Sequence, residues 1–398
     1  MQISPIRVSL GSVLATSSCP IMSKSNLQHG LNPNMHLATD LFRTKNLEQA
    51  PTRDGYGQGL VEAGKANPNV VVLCADLSES TRSLAFKQAF PDRFIQMGVS
   101  EQCLPSIAAG LALSGKVPFI SSYAAFSPGR NWEQIKTCVA LQNMNVKIAG
   151  AHAGINVGPD GATHQMLEDI ALMRVVPNMR VLIPCDRIQT RNVTIAAAEY
   201  EGPVYFRFTR EKSPVFTTDQ TPFQMGKADV YRFGTDATIV AAGPLLYEAL
   251  LAAESLSKKQ KLEVRVINLH TMKPLDIQTL ILAAKETGAI VTVEEAQAAG
   301  GLGGAVCEAL ASTVPVPIER IGAQDRFGES GEPSELADAM GLSAHFIALA
   351  AVRAWKRKKK QRVVEIPEYL TEANKTAEKM RQKILDKAMK EMPKEWNS

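Results

Sequence analysis

Paired cysteines are missing. The six in the chain (Cys19, Cys74, Cys103, Cys138, Cys185 and Cys307) are scattered and form no C-x-x-C. That excludes a disulfide framework and reads as buried free thiols in a reducing, cytoplasmic compartment. An excess of charge is missing too. The 44 basic and 40 acidic side chains leave a net +4, which excludes a nucleic-acid partner for the body of the chain. No apolar run approaches the length of a membrane span, so no membrane role is expected. Acids are absent from residues 1–39, which carry only Arg7 and Lys24 as bases. That is too little arginine for a transit peptide, and a poorly ordered arm over residues 1–50 is expected instead.

What remains is 398 residues with 45% hydrophobic content, enough for two or three domains with real cores. From 51 to 212 short apolar strands (Val70–Cys74, Val117–Ser121, Val146–Ala149, Arg180–Ile183, Val204–Phe208) alternate with helical stretches. This α/β pattern predicts a parallel sheet covered on both faces. Residues 213–225, rich in Pro and Thr, read as a linker. A second, smaller parallel-sheet α/β domain follows over 226–350, with strands at Ala237–Ala241, Glu263–Asn268, Ala289–Val293 and Ile318–Ile321. Its Gly300-Gly301-Leu302-Gly303-Gly304 run matches a dinucleotide loop only loosely and reads as a closely packed helix start. Residues 351–398 form a basic segment and a helical tail, whose apolar stripe from Tyr369 to Ala388 suits docking on a subunit surface.

Two stretches carry chemistry. In Met97 to Pro105 a short strand leads into a helix, with Ser100 as its N-cap and Glu101 in the first turn. Glu101 either complements the helix dipole or faces a ligand at a strand end. In Ala151 to Gln165, His152, Asp160 and His164 sit among three glycines directly after a buried strand. Glycines let the backbone come close to a ligand. Two of the chain's six histidines so placed point to a ligand; a metal site there lacks further Cys or His, and histidines that merely satisfy backbone groups are the lesser alternative.

Five motifs in order, Thr52-Arg53-Asp54, Ala75 to Ser80 (with Asp76), Gly98 to Gln102, His152 to Gln165 and Phe208 to Glu211, resemble the pyrimidine-binding and C-terminal domains of transketolase. The resemblance covers Arg53 to about Leu349. It implies dependence on thiamine diphosphate, which supplies a carbanion while the protein supplies orientation and electrostatics. By the same resemblance, Glu101 shares a proton with the aminopyrimidine ring. Tyr123 and Phe126 pack on that ring, although ordinary core is their plainer reading, and Asp76 lies on the cofactor side. A third family aromatic falls near Gly129, where this chain departs from the pattern. Arg53, Ser80, His152 and Arg210 match the family's phosphate-binding positions, and Asp160 and His164 match those that read a sugar hydroxyl and hold the sugar oxygen. For Arg53 and Arg210, salt bridges to the adjacent Asp54 and Glu211 are the alternative.

The family holds the diphosphate and its divalent cation (Mg2+ or Ca2+) with a Gly-Asp-Gly motif, which this sequence lacks. The resemblance therefore implies the C-terminal section of a split transketolase that works with a separate N-terminal subunit, as two copies of each with a homodimer contact. The reaction implied is transfer of a two-carbon ketol unit between sugar phosphates, as in the pentose phosphate pathway. The beta subunit of a 2-oxo acid dehydrogenase, a 1-deoxyxylulose-5-phosphate synthase-like enzyme, and a non-catalytic binding subunit remain as alternatives. The phosphate set and His152 speak against the first two, and the intact Glu101 and His164 against the third.

Overall fold

The structure is a computed structural model, and it describes residues 29–358. The stripe from Tyr369 to Ala388 lies outside the described residues.

Val70–Cys74 is buried at every residue, as an apolar strand inside a covered sheet must be. It pairs in parallel with Phe94–Gln96 on one side and Val117–Tyr123 on the other. Lys147–Ala151, Val204–Arg207 and Arg180–Leu182 continue the parallel sheet. The helices Thr52–Ala66 and Arg187–Glu199 cover one face, burying Tyr56, Leu60 and Val193 with Phe119 and Phe206. The chain leaves Val70–Cys74 first toward Phe94–Gln96 and then toward the opposite neighbour. Such a reversal opens a crevice at the carboxyl ends of the strands.

In the second domain Ala237–Ala241 lies parallel to Val264–Asn268 and Ile290–Gln297, and Ile318–Ala323 follows in parallel. Asp229–Phe233 adds an antiparallel edge. One apolar core joins the two sheets. It runs from Leu73, Ile120 and Ile148 of the first domain to Val240, Leu302 and Val306 of the second.

Four local expectations change. Part of the arm thought to be poorly ordered is built into the second domain. Gly30–Leu31 pairs with Asp229–Phe233, and Met35, Leu41 and Leu47 are buried beside Leu246 and Leu250. The stretch 213–225 joins the domains but is no loose spacer. Lys212–Pro214 pairs with Gln49–Pro51, Phe216 is fully buried, and Thr217 donates its N–H and hydroxyl to the Asp186 carboxylate. The second domain also lends Thr271–Lys273 to the first sheet, antiparallel to Arg180–Leu182. Finally, Pro333–Lys356 is long and apolar enough in composition to cross a membrane, against the expectation that no run approaches that length. It is two helices, Pro333–Ala339 and Ala344–Lys356, and the second buries Ile347, Ala350, Ala351 and Ala354 in the domain core.

The glycine run behaves as a packed helix start. The Glu294 carboxylate accepts the N–H groups of Leu302 (2.6 Å) and Gly303 (2.8 Å) at the first turn of Leu302–Ala311. A negative side chain occupies the place where a nucleotide phosphate would sit.

Candidate active site

The carboxyl ends of five neighbouring strands deliver the residues singled out in the sequence. Cys74 leads to Asp76 and Ser80, Gln96 to Glu101, Tyr123 to Phe126, Ala151 to His152, and Arg207 to Arg210. Asp76 is exposed, has a left-handed backbone (φ 57°), and accepts from Gln96 Nε2 at 2.8 Å, so it marks the rim of the crevice.

Glu101 is 6% exposed. The following helix starts at Cys103, and Ser100 does not cap it; its hydroxyl donates to the Met97 carbonyl at 2.7 Å. Glu101 therefore sits in a turn just before the helix rather than in its first turn. That turn is held by Asn131, whose Nδ2 donates to the Glu101 carbonyl at 2.8 Å and to Ser127 Oγ at 3.1 Å. No hydrogen bond engages the Glu101 carboxylate among the described residues. Neither of its oxygens is among the buried atoms that lack a partner, so the carboxylate opens outward at the strand ends. Gly129, where a family aromatic was missing, has no room for one. A Cβ there would stand 2.0 Å from the Ala125 carbonyl oxygen.

Tyr123, Phe126, His152 and His164 form an aromatic box. Tyr123 stacks with Phe126 (centroids 5.8 Å apart), His152 lies 4.0 Å from Tyr123, and His164 meets Phe126 edge-on at 5.6 Å. Tyr123 and Phe126 are only half-buried, so ordinary core does not account for them. His152, also in a left-handed backbone (φ 55°), is fully buried. Its Nε2 lies 3.2 Å from the Ser80 carbonyl and 3.4 Å from Arg53 Nη1, and its Nδ1 is buried without a partner. Burial first, then the Arg53 charge, pulls its pKa down to about 3. It is a neutral imidazole at physiological pH.

Arg53 donates to the Ser80 carbonyl at 3.0 Å, and its Nε has no partner. The alternative pairing with Asp54 does not form, because Asp54 binds Arg82 at 2.7 Å. Arg210 does contact Glu211 (3.4 Å), but its shorter bond is to Asp160 at 2.9 Å. Thus Arg53, Ser80 and His152 are in contact with one another. Arg210 joins Asp160 at the mouth of the same loop, and its charge acts on both Arg53 and His152.

Sequence reasoning missed Arg82. After burial, its charge is the largest influence lowering the pKa of Arg53. A basic residue two positions after Ser80 was the available signal. The junction beneath the loop was also missed. Asp169 binds Arg207 at 3.1 Å and accepts from the Tyr205 hydroxyl at 2.6 Å, while Arg207 donates to the Glu295 carbonyl. Nothing local in the sequence marks these long-range pairs. Among the described residues no group of three His, Cys, Asp or Glu side chains could hold a metal ion.

Among the described residues, an aromatic box, a carboxylate with no hydrogen bond and an arginine without a carboxylate partner gather at the ends of one parallel sheet, where open α/β sheets place ligands. The transketolase pyrimidine-binding domain matches residues 48–215 and the transketolase C-terminal domain matches 226–347. The chain belongs to the transketolase family and corresponds to its C-terminal section. It is 44% identical over 308 residues to a putative transketolase C-terminal section from Methanocaldococcus jannaschii, covering 77% of this chain and 96% of that one. It is 39% identical to a 6-deoxy-6-sulfo-D-fructose transketolase subunit from a Clostridium species, covering 78% and 97%. Among solved structures it resembles a split-gene transketolase described as an inactive beta4 tetramer, with 44% identity, a TM-score of 0.73, and coverage of 78% and 99%. The family's domains imply dependence on thiamine diphosphate.

Proposed function

We propose that this chain is the pyrimidine-side subunit of a two-part transketolase. It transfers a two-carbon ketol unit from a ketose phosphate to an aldose phosphate, as in the pentose phosphate pathway. The observation that carries the reading is Glu101, whose carboxylate makes no hydrogen bond among the described residues, at the same strand ends as the aromatic box and the Arg53–His152 contact. The pyrimidine half of thiamine diphosphate fits these residues. Glu101 would hold a proton at its carboxylate for the ring nitrogen, and Tyr123 and Phe126 would bracket the ring, with Asp76 on the same rim. When bound, the cofactor supplies the carbanion that breaks a bond next to a carbonyl.

His152 and His164 face the same box and would hold the sugar oxygens, with His164 moving a proton. Neutral His152 keeps one ring nitrogen able to accept a hydrogen bond, as a cation could not. Arg53, Ser80, His152 and Arg210 would receive the terminal phosphate, and Asp160 would read a donor hydroxyl. The diphosphate and its Mg2+ or Ca2+ fall to a separate N-terminal subunit carrying the Gly-Asp-Gly motif, in a heterotetramer with a homodimer contact. The domains would divide at 51–212 and 226–350. The five described cysteines are free, which supports a reducing cytoplasm.

The test is ketol transfer to ribose 5-phosphate by the assembled complex, with xylulose 5-phosphate and a C6-sulfonated ketose as competing donors. Preference for the phosphate donor supports this reading. Preference for the sulfonate would assign the cationic pocket to a different substrate class.

A further inference from the structure

The loop from His152 to Gln165 holds three of the proposed substrate residues, yet it belongs to the first domain and is seated on the second. Its outgoing limb turns at Gly154 (φ 80°) directly over Glu295, near the end of Ile290–Gln297. A Cβ at Gly154 would stand 2.3 Å from Glu295 Oε1, so only glycine lets the backbone reach this carboxylate. Glu295 Oε1 accepts the Asn156 N–H at 2.9 Å. The returning limb is held two residues further along the same strand, where the Gln297 N–H donates to the Leu167 carbonyl at 2.8 Å. The tip leans on the second domain as well. Gln165 Nε2 donates to the Glu329 carbonyl at 3.0 Å, and a Cβ on Gly161 would meet Ser330 Oγ at 2.5 Å. Glu295 is 8% exposed, and its backbone carbonyl accepts from Arg207 at 3.1 Å, which fixes the strand that presents the side chain.

We propose that Glu295 is a positioning residue: its carboxylate, reaching across from the second domain, fixes the backbone of the loop that presents His152, Asp160 and His164. Bonds from backbone N–H groups to a carboxylate are charge-assisted and stronger than neutral ones. The one to Asn156, with Gly154 packed on the same carboxylate, sets the direction in which the loop leaves the strand. The second domain then has a definite task in the site, which is to hold this loop in place. What the loop does rests on the function proposed above, but whether Glu295 holds it does not.

Amide hydrogen exchange on the full chain tests this without turnover. Glu295→Ala should speed exchange at Asn156 roughly ten- to a hundredfold, with the Val70–Cys74 and Ala237–Ala241 strands unchanged. Glu295→Gln, which keeps an acceptor oxygen, should give a smaller rise. Gly154→Ala should match Glu295→Ala, because its methyl group displaces the carboxylate while leaving it in place chemically. If Glu295→Ala fails to fold, the other two variants decide. Unchanged loop protection in these variants, or a uniform rise through both sheets, would overturn the proposal. Because exchange needs no reaction, a failure of ketol transfer would fall on the proposed function alone.

Discussion

Arg207 and Arg210 stand three residues apart at the end of one strand, in opposite surroundings. The Arg207 side chain is 4% exposed and its bonds are saturated by Asp169 and the Glu295 carbonyl. The Arg210 side chain is 32% exposed and leans on Asp160 and Glu211, which are themselves partly exposed. The same contrast separates the junction from the strand-end cluster. At the junction Asp169, Tyr205, Arg207, Glu294 and Glu295 are buried and bonded. In the cluster Arg53 Nε and His152 Nδ1 are buried without partners. Burying a polar group without a hydrogen bond costs about 1–3 kcal/mol. Such atoms also occur away from the cluster, as at Arg232 Nε and Arg265 Nε, so what sets the cluster apart is that Arg53 and His152 carry theirs side by side at the strand ends.

That contrast fails first at Glu101. If its free carboxylate handles a proton, Glu101→Gln should cut turnover of the assembled complex roughly 10²–10⁴-fold while thermal stability stays within the range of a surface change. Near wild-type turnover would make Glu101 a helix-end charge. The junction should behave in the opposite way. Asp169→Ala leaves Arg207 buried and unpaired and should cost about 3–5 kcal/mol of stability by denaturant titration. A loss under 1 kcal/mol would mean that the junction is not saturated as described.

Within the cluster, Arg53 and Arg210 can be told apart. Arg53 has no carboxylate partner, so Arg53→Ala should raise KM for a phosphorylated donor roughly ten- to a hundredfold and leave hydroxypyruvate little changed. Arg210→Ala should do less, because Asp160 and Glu211 already engage it. Equal effects on both donors would make Arg53 structural.

Titration sharpens the comparison. Burial pushes Glu295 up to about 7, so its contribution to stability is full below its unfolded pKa near 4.5 and lost as pH rises through 7. Glu295→Gln removes that loss. Relative to the parent it should be more stable at pH 8 than at pH 5, by on the order of 1–3 kcal/mol. His152 runs the other way. Its folded pKa is depressed, so its contribution is present above about 6.5 and lost as pH falls through about 3. The smallest effect belongs to Arg82, which is 42% exposed and paired with Asp54. Arg82→Ala should raise KM roughly two- to fivefold, and the difference should shrink at high salt.

Much of this was legible beforehand. Val70–Cys74 and Ala237–Ala241 are short apolar runs between turns, and they form central strands at those bounds. Glu101, His152, Asp160, His164 and Arg210 stood in motifs that resemble those of transketolase, and the fold places them at or after strand ends. What could not be read lies in long-range pairing. Gly30–Leu31 has two residues and no period, and its partner is two hundred positions away. Thr271–Lys273 crosses into the other domain's sheet, which no local pattern announces. Ser100 had the right residue type for a cap, but its hydroxyl turned back to Met97. Glu295 looked like half of an acidic pair until the fold brought Gly154 over it.

The most direct measurement is ketol transfer from xylulose 5-phosphate to ribose 5-phosphate, with thiamine diphosphate and Mg2+ supplied, by this chain alone and then with an N-terminal section carrying the Gly-Asp-Gly motif. The chain alone should give no transfer, and adding the second section should switch it on. Transfer by the single chain would contradict a site whose pyrimidine side is complete and whose diphosphate side lies on a partner.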